Sequence, residues 1–258
     1  MSLIDSHCHL DHFTAEEQPE IVARAERAGV TRMVTIGVRL SDAAVQKAIA
    51  ERFPQVWCTV GVHPHQAGEG TMPTVEEIVA TADHPRVIGI GESGLDYFYD
   101  KSPRDVQREG FRRHIRAARA AGLPLCIHAR DADADVAAIL LEEHAAGGPF
   151  AFLLHCFSSG RGLAEAALAL GGYVSFSGIL TFPRSDELRA IARDVPRERL
   201  LVETDSPFLA PVPLRGKRCE PAYTLHTARA LAAVMGVTET EIAAITTENF
   251  HRLYPRAA

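Results

Sequence analysis

The run Leu3-Ile4-Asp5-Ser6-His7-Cys8-His9-Leu10 joins a short apolar segment to two histidines spaced two residues apart. In an extended strand, residues i and i+2 share a face, so both imidazoles point one way and Cys8 points the other. Two imidazoles converging from one face make half of a metal site. The spacing alone carries little weight, because 258 residues with 12 histidines hold about half of one such pair by chance. A second pair, His63-Pro64-His65, is indeed present. What gives the first pair meaning is its position at the end of an apolar strand, since the same arrangement recurs along the chain.

Short apolar, β-branched runs read as strands at Leu3 to Ile4, Arg32 to Ile36, Val56 to Val60, Val87 to Ile90, Leu125 to Ile127, Ala151 to Leu154, Tyr173 to Phe176 and Leu200 to Val202. Between them, helical-period segments run from Glu16 to Ala28, Asp42 to Arg52, Thr74 to Ala82, Arg104 to Ala121, Asp133 to His144, Gly162 to Leu170 and Asp186 to Arg193. Gly29, Gly122 and Gly171-Gly172 stop helices just before strands, and Ser41-Asp42 and Thr74 sit where N-caps are wanted. After the eighth strand comes a long loop from Thr204 to Pro221, then helices from Tyr223 to Met235 and from Glu239 to Leu253. Eight strands each followed by helical sequence is the count of a closed (β/α)₈ TIM barrel, and no linker divides residues 1–258 into more than one domain. A doubly wound open sheet is the competing architecture. It would not draw polar residues from the first, fourth, fifth, sixth and eighth strands into one place, whereas a barrel does.

Bulk composition agrees with a globular enzyme and excludes several classes. Hydrophobic residues make up 47% and charged residues 23% of the chain. The five cysteines, at 8, 58, 126, 156 and 219, form no Cys-x-x-Cys and read as reduced thiols. With no basic leader followed by a long apolar run and no membrane-length apolar stretch, the expected location is the cytoplasm, with no membrane association. A net charge of −6 argues against general affinity for a nucleic acid backbone and leaves room for a local basic patch.

The chemistry lies where the apolar runs end. Strand one ends in His7 and His9, strand four in Glu92, strand five in His128, strand six in His155, and strand eight in Glu203-Thr204-Asp205. In a barrel these C-terminal ends share the face that carries active sites. Each residue alone has a bland explanation: a satisfied structural histidine, a carboxylate paired with a neighbouring Arg, a turn cap before Pro207. Together, so many titratable groups at equivalent strand ends call for a cation to organise them. Four histidines with Glu92 and Asp205 exceed the ligand set of a single catalytic zinc, so ligand counting points to two metals. A carboxylate on a middle strand can bridge such a pair. The chain's only lysines, Lys47, Lys101 and Lys217, follow no apolar strand, which rules out a bridging carboxylated lysine and leaves Glu92. Arg130, Arg161, Arg184, Arg215, Lys217 and Arg218 follow the later strands as a basic rim suited to a phosphorylated substrate, although each one alone is an ordinary surface residue.

The motifs Asp5-Ser6-His7-Cys8-His9-Leu10, Gly61-Val62-His63-Pro64-His65, Gly91-Glu92-Ser93-Gly94-Leu95-Asp96-Tyr97, His128-Ala129-Arg130-Asp131-Ala132, His155-Cys156-Phe157-Ser158-Ser159-Gly160 and Glu203-Thr204-Asp205-Ser206-Pro207 resemble those of the TatD-type metal-dependent deoxyribonucleases. Arg215-Gly216-Lys217-Arg218-Cys219-Glu220-Pro221 and Thr247-Glu248-Asn249-Phe250 extend the resemblance to the last helix. It implies an amidohydrolase-like barrel that binds two divalent ions, Zn, Mg or Mn, and cleaves DNA with exonuclease character. By position, His7, His9, Glu92 and Asp205 would hold one ion, and Glu92, His128 and His155 the other. Asp205 would orient the attacking water or take its proton, with Glu92 as the second catalytic residue. His63, Arg130, Glu203, Arg215 and Lys217 would meet the substrate. The expected state is a monomer or small homo-oligomer. Cys219 and Ala129 stand where the family commonly has Asn and Ser, outside the ligand set. The rival readings are an amidohydrolase-type enzyme acting on an amide, lactone or phosphotriester, and a non-catalytic protein with a vestigial metal site.

Overall fold

The structure is a computed structural model that describes residues 2–257. Eight strands are present among them: β1 (Leu3–Cys8), β2 (Val30–Thr35), β3 (Val56–Val60), β4 (Val87–Asp96), β5 (Leu125–Arg130), β6 (Phe152–Leu154), β7 (Tyr173–Phe176) and β8 (Leu200–Val202). Each pairs in parallel with the next, in sequence order from β1 to β8. Helices α1 (Gln18–Arg27), α2 (Ala43–Arg52), α3 (Val75–Ala82), α4 (Arg104–Ala121), α5 (Asp133–Gly147), α6 (Arg161–Ala169) and α7 (Asp186–Asp194) follow the first seven strands, and α8 (Thr224–Met235) and α9 (Glu239–Leu253) follow the last. This is the expected TIM barrel. Among the described residues no single helix is long and apolar enough to cross a membrane.

The apolar residues divide by strand parity into two layers. Phe152 and Leu154 on β6, like Leu125 and Ile127 on β5, face the helices and join the large outer core. Leu153, Cys126 and Leu201 face inward, where Phe250 and Tyr254 from the C-terminal end of the chain plug the bottom of the barrel. Continuing the inward parity up β5 and β6 brings His128 and His155 to the mouth, and up β8 it turns Glu203 inward beneath them. β1 needs an irregularity to do the same. Ile4 is inward, so strict alternation would turn Cys8 in and His7 out. A register shift between Asp5 and Cys8 reverses this, and Cys8 joins the outer core.

β1, β4 and β5 run beyond their apolar segments to Cys8, Asp96 and Arg130. The polar extensions stay paired, with Gly94 opposite His128 and Asp96 opposite Arg130. Ladder hydrogen bonds need backbone only, so the end of an apolar run does not mark the end of a strand. The close approach of β4 to β5 depends on Gly94, whose φ is +149° and whose added Cβ would lie 2.0 Å from the His128 carbonyl oxygen. Helix ends follow local chemistry. Thr74 and Glu77 form a capping box at α3, and Gly122 ends α4 in the left-handed region. Asp42 precedes α2 without a capping hydrogen bond.

The barrel closes between β8 and β1 by specific hydrogen bonds. The Asp205 amide donates to the His7 carbonyl at 2.9 Å and the His9 amide to the Ser206 carbonyl at 2.7 Å. Beneath them, Asp5 accepts from the Thr204 amide at 2.9 Å and from its hydroxyl at 2.6 Å. Burial pushes the Asp5 carboxyl up to about 8, against the opposing pull of these Thr204 bonds. The seam fixes His7, His9 and Asp205 relative to one another.

Candidate metal centre

His7, His9 and Asp205 meet at this seam. The His7 and His9 Nε2 atoms are 3.3 Å apart, and Asp205 Oδ1 lies 3.6 Å from the first and 3.4 Å from the second. Glu92 stands at the centre of the mouth with its two oxygens facing different partners. Its Oε2 is 3.4 Å from His7 Nε2. Its Oε1 is 2.7 Å from His155 Nε2, 2.9 Å from His128 Nδ1 and 3.3 Å from His63 Nε2. The His7 and His155 rings stack at 3.8 Å. Donor atoms within 4.8 Å of one another form the sets His7-His9-Asp205, His7-Glu92-His155 and His63-Glu92-His128.

The electrostatics of the cluster are those of a cation site. Burial would raise the Glu92 carboxyl, but the facing His155 and His63 rings outweigh it and hold the group well below the usual carboxylate range. Burial likewise disfavours a charged His155, yet Glu92 and Glu203 hold its imidazolium well above the ordinary range. Among the described residues, neither Glu92 nor Asp205 forms an ion pair with a lysine or arginine. Positive charge at this mouth must come from protons or from metal, and imidazole nitrogens with carboxylate oxygens are the donor set that divalent ions take. The residues present fit such ions.

The orienting partners lie one layer out. His155 Nδ1 is 3.2 Å from Glu203 Oε1, which also accepts the Cys156 amide at 2.7 Å. Glu203, expected beside the site as a substrate contact, is fully buried behind His155. Asp96 was not anticipated in a functional role. Its Oδ2 is 3.1 Å from His128 Nε2 and 2.8 Å from His65 Nε2, while its Oδ1 accepts the amides of Phe98 and Tyr99. The signal was available: in one continuous strand, Glu92 and Asp96 are an even number of residues apart and share a face. His63 accepts the His65 amide through Nδ1 at 3.0 Å, which leaves Nε2 protonated toward Glu92. Burial pushes its imidazolium pKa down to about 4, so this ring is neutral near pH 7.

The expected basic rim survives in part. Arg161 pairs with Asp194 at 2.7 Å and Arg218 with Glu17 at 2.8 Å. Arg130, Arg184, Arg215 and Lys217 form no ion pair with an acidic side chain among the described residues. Arg130 lies against the rings of Phe98 and Tyr99, at 4.1 and 4.7 Å from their centres, and Arg215 lies 4.2 Å from the centre of Phe182. Cys219 is buried under the loop after β8, where its amide donates to the Pro207 carbonyl.

Known proteins are similar to this chain along nearly its whole length. The YcfH metal-dependent hydrolase of Escherichia coli K12 is 40% identical over 260 residues, covering 98% of this chain and 96% of that protein. The Salmonella typhimurium protein named 3'-5' ssDNA/RNA exonuclease TatD is 34% identical over 245 residues, covering 93% of this chain and 94% of its own. The crystal structure of YJJV, a TatD homologue from Escherichia coli K12, superposes with a TM-score of 0.90 at 24% identity, covering 98% of each chain. A family model described as TatD related DNase matches residues 4–255, and the chain belongs to this family of metal-dependent hydrolases, which act on ester bonds.

Proposed function

We propose that this chain is a deoxyribonuclease that removes nucleotides from a DNA strand end, with two divalent ions held on either side of Glu92. The observation that carries the reading is the division of Glu92: Oε2 faces His7, while Oε1 faces His128 and His155. A carboxylate whose two oxygens face different imidazoles could serve two ions at once, as binuclear hydrolases require. His7, His9 and Asp205 would complete one set, and His128 and His155 the other. Ions bound here would acidify water toward neutrality and take up charge on the phosphate oxygens. Asp205, partly open at the edge of the cluster, accepts the proton of the attacking water. His63 donates from Nε2 to a phosphate oxygen, and Arg130, Arg215 and Lys217 bind the flanking phosphates. The name of the Salmonella relative supports a strand-end substrate and 3'-to-5' direction.

The test is release of mononucleotides from end-labelled single-stranded and duplex DNA by chelated enzyme with Mg²⁺, Mn²⁺ or Zn²⁺ restored one at a time. Turnover should return only with metal, and Glu92→Gln should lose both metal and turnover. Undiminished cleavage by the chelated enzyme, or none with any metal, would sink the proposal.

A further inference from the structure

The exposed aromatic side chains of this chain gather at one place. Among the described residues the large hydrophobics left open to solvent are Val45, Phe98, Tyr99, Leu141, Phe208 and Val212. All three aromatics among them border the metal mouth. Tyr99 packs edge-on against His65 at 5.3 Å, and Phe208 packs edge-on against His12 at 5.6 Å and His9 at 6.1 Å. Phe98 and Tyr99 follow β4, and Phe208 follows β8. In a barrel ordered β1 to β8 those two strands stand on opposite sides, so the aromatics flank the mouth from opposed rims.

We propose that Phe98 with Tyr99, and Phe208, are two nucleobase platforms that hold the bases on either side of the scissile phosphate. The inference rests on the phosphodiesterase reading above and names the part of the substrate that the metal cluster does not touch. Exposures of 55, 51 and 50% leave ring surface open at each site, unlike the buried aromatics of the core. Apolar faces kept open beside a charged cluster suit a partner that is flat, aromatic and attached to an anion. Two cations stand at the first platform. The Arg130 guanidinium lies over Phe98 and Tyr99, and Lys101 Nζ is 5.5 Å from the Tyr99 ring centre. A groove of about 540 Å³ runs beside the first platform from Phe98 past Arg130, Asp131 and Asp133 to Ser158, Ser159 and Gly160. The Phe98 and Tyr99 amides donate to the same Asp96 that holds His128, so this platform is fixed in register with the cluster.

Stacking on an aromatic side chain strengthens binding by about five- to a hundredfold or more per base. The test compares a fluorescein-labelled, phosphorothioate-linked oligothymidylate with the same strand carrying abasic residues at its 3' end. Binding to the metal-restored protein is followed by anisotropy. The wild type should prefer the strand with bases by at least fivefold. The double variant Phe98→Ala/Tyr99→Ala and the single variant Phe208→Ala should each lose most of that preference, and Phe208→Trp should keep it. Equal affinity of the wild type for the two strands, or a preference that persists in both alanine variants, overturns the assignment. Turnover of the unmodified strand is read separately. A base preference without hydrolysis would refute the phosphodiesterase reading and leave the platforms standing, whereas hydrolysis without base preference would do the reverse.

Discussion

Asp96→Asn tests how the second donor set is held. In the native chain Asp96 Oδ2 accepts from His128 Nε2 and His65 Nε2, which favours the His128 proton on Nε2 and would free Nδ1, 2.9 Å from Glu92, to serve as a ligand when an ion is bound. The carboxylate accepts these bonds as an anion. Burial would raise its pKa, but His128 and His65 hold it well below the ordinary range. An asparagine oxygen can still accept the Phe98 and Tyr99 amides, so the backbone turn survives. Its amide nitrogen then faces two ring nitrogens as a donor. His128 can accept that bond only by moving its proton to Nδ1, the atom 2.9 Å from Glu92, and a protonated nitrogen is no ligand. Loss of such an orienting partner weakens metal binding by about 10- to 100-fold, equivalent to roughly 1.4–2.7 kcal/mol. Titration of the chelated variant with Mn²⁺, read calorimetrically, should show one site weakened by that factor and the other, at His7, His9 and Asp205, nearly unchanged. Native affinity at both sites would refute the argument. Equal weakening of both sites with a lowered melting temperature would assign Asp96 to general structure.

Three further outcomes test the scaffold. His114 on α4 is buried, accepts the Val62 amide through Nε2 at 2.9 Å and faces the Gly110 carbonyl through Nδ1 at 2.7 Å. Burial pushes its pKa down to about 4, against 6.5 when unfolded, so the unfolded chain binds the extra proton between these values. Stability from the neutral ring is complete above pH 6.5 and lost as pH falls toward 4, by up to about 3 kcal/mol. In urea unfolding, the advantage of the wild type over His114→Asn should therefore shrink between pH 7 and pH 5, and a constant difference would contradict it. The Tyr254 hydroxyl is buried without a hydrogen-bond partner among the described residues, so Tyr254→Phe should raise stability by about 1 kcal/mol in the same assay. Gly94→Ala should cost about 3 kcal/mol or more, because its Cβ would lie 2.0 Å from the His128 carbonyl oxygen at a φ of +149°; a soluble variant with a native melting temperature would show that β4 and β5 can separate.

The sequence determined the barrel and the roster of polar groups at its mouth. Apolar runs of strand length, helical periods between them and glycines after the helices are local signals, and local chemistry sets each of them. That His128 and His155 follow buried strands was legible because a period of two carries parity from an apolar core to its polar end. Other features depend on partners that no spacing encodes. The inward turn of His7 requires a register shift in β1 and a seam to residues nearly 200 positions away, closed by Asp5 and Thr204. Glu203 reads as a mouth residue from its place after β8, yet it is buried behind His155, where its Oε1 meets Nδ1 of that ring and the Cys156 amide. The basic rim lost Arg161 and Arg218 to acidic side chains on distant segments. Asp96 gained its role only because His65, in the turn after β3, and His128, on β5, converge on it. Strand order and covalent spacing decide which residues can reach the mouth. Which oxygen meets which ring is decided by closure of the barrel, since only closure brings groups from opposite ends of the chain within bonding distance.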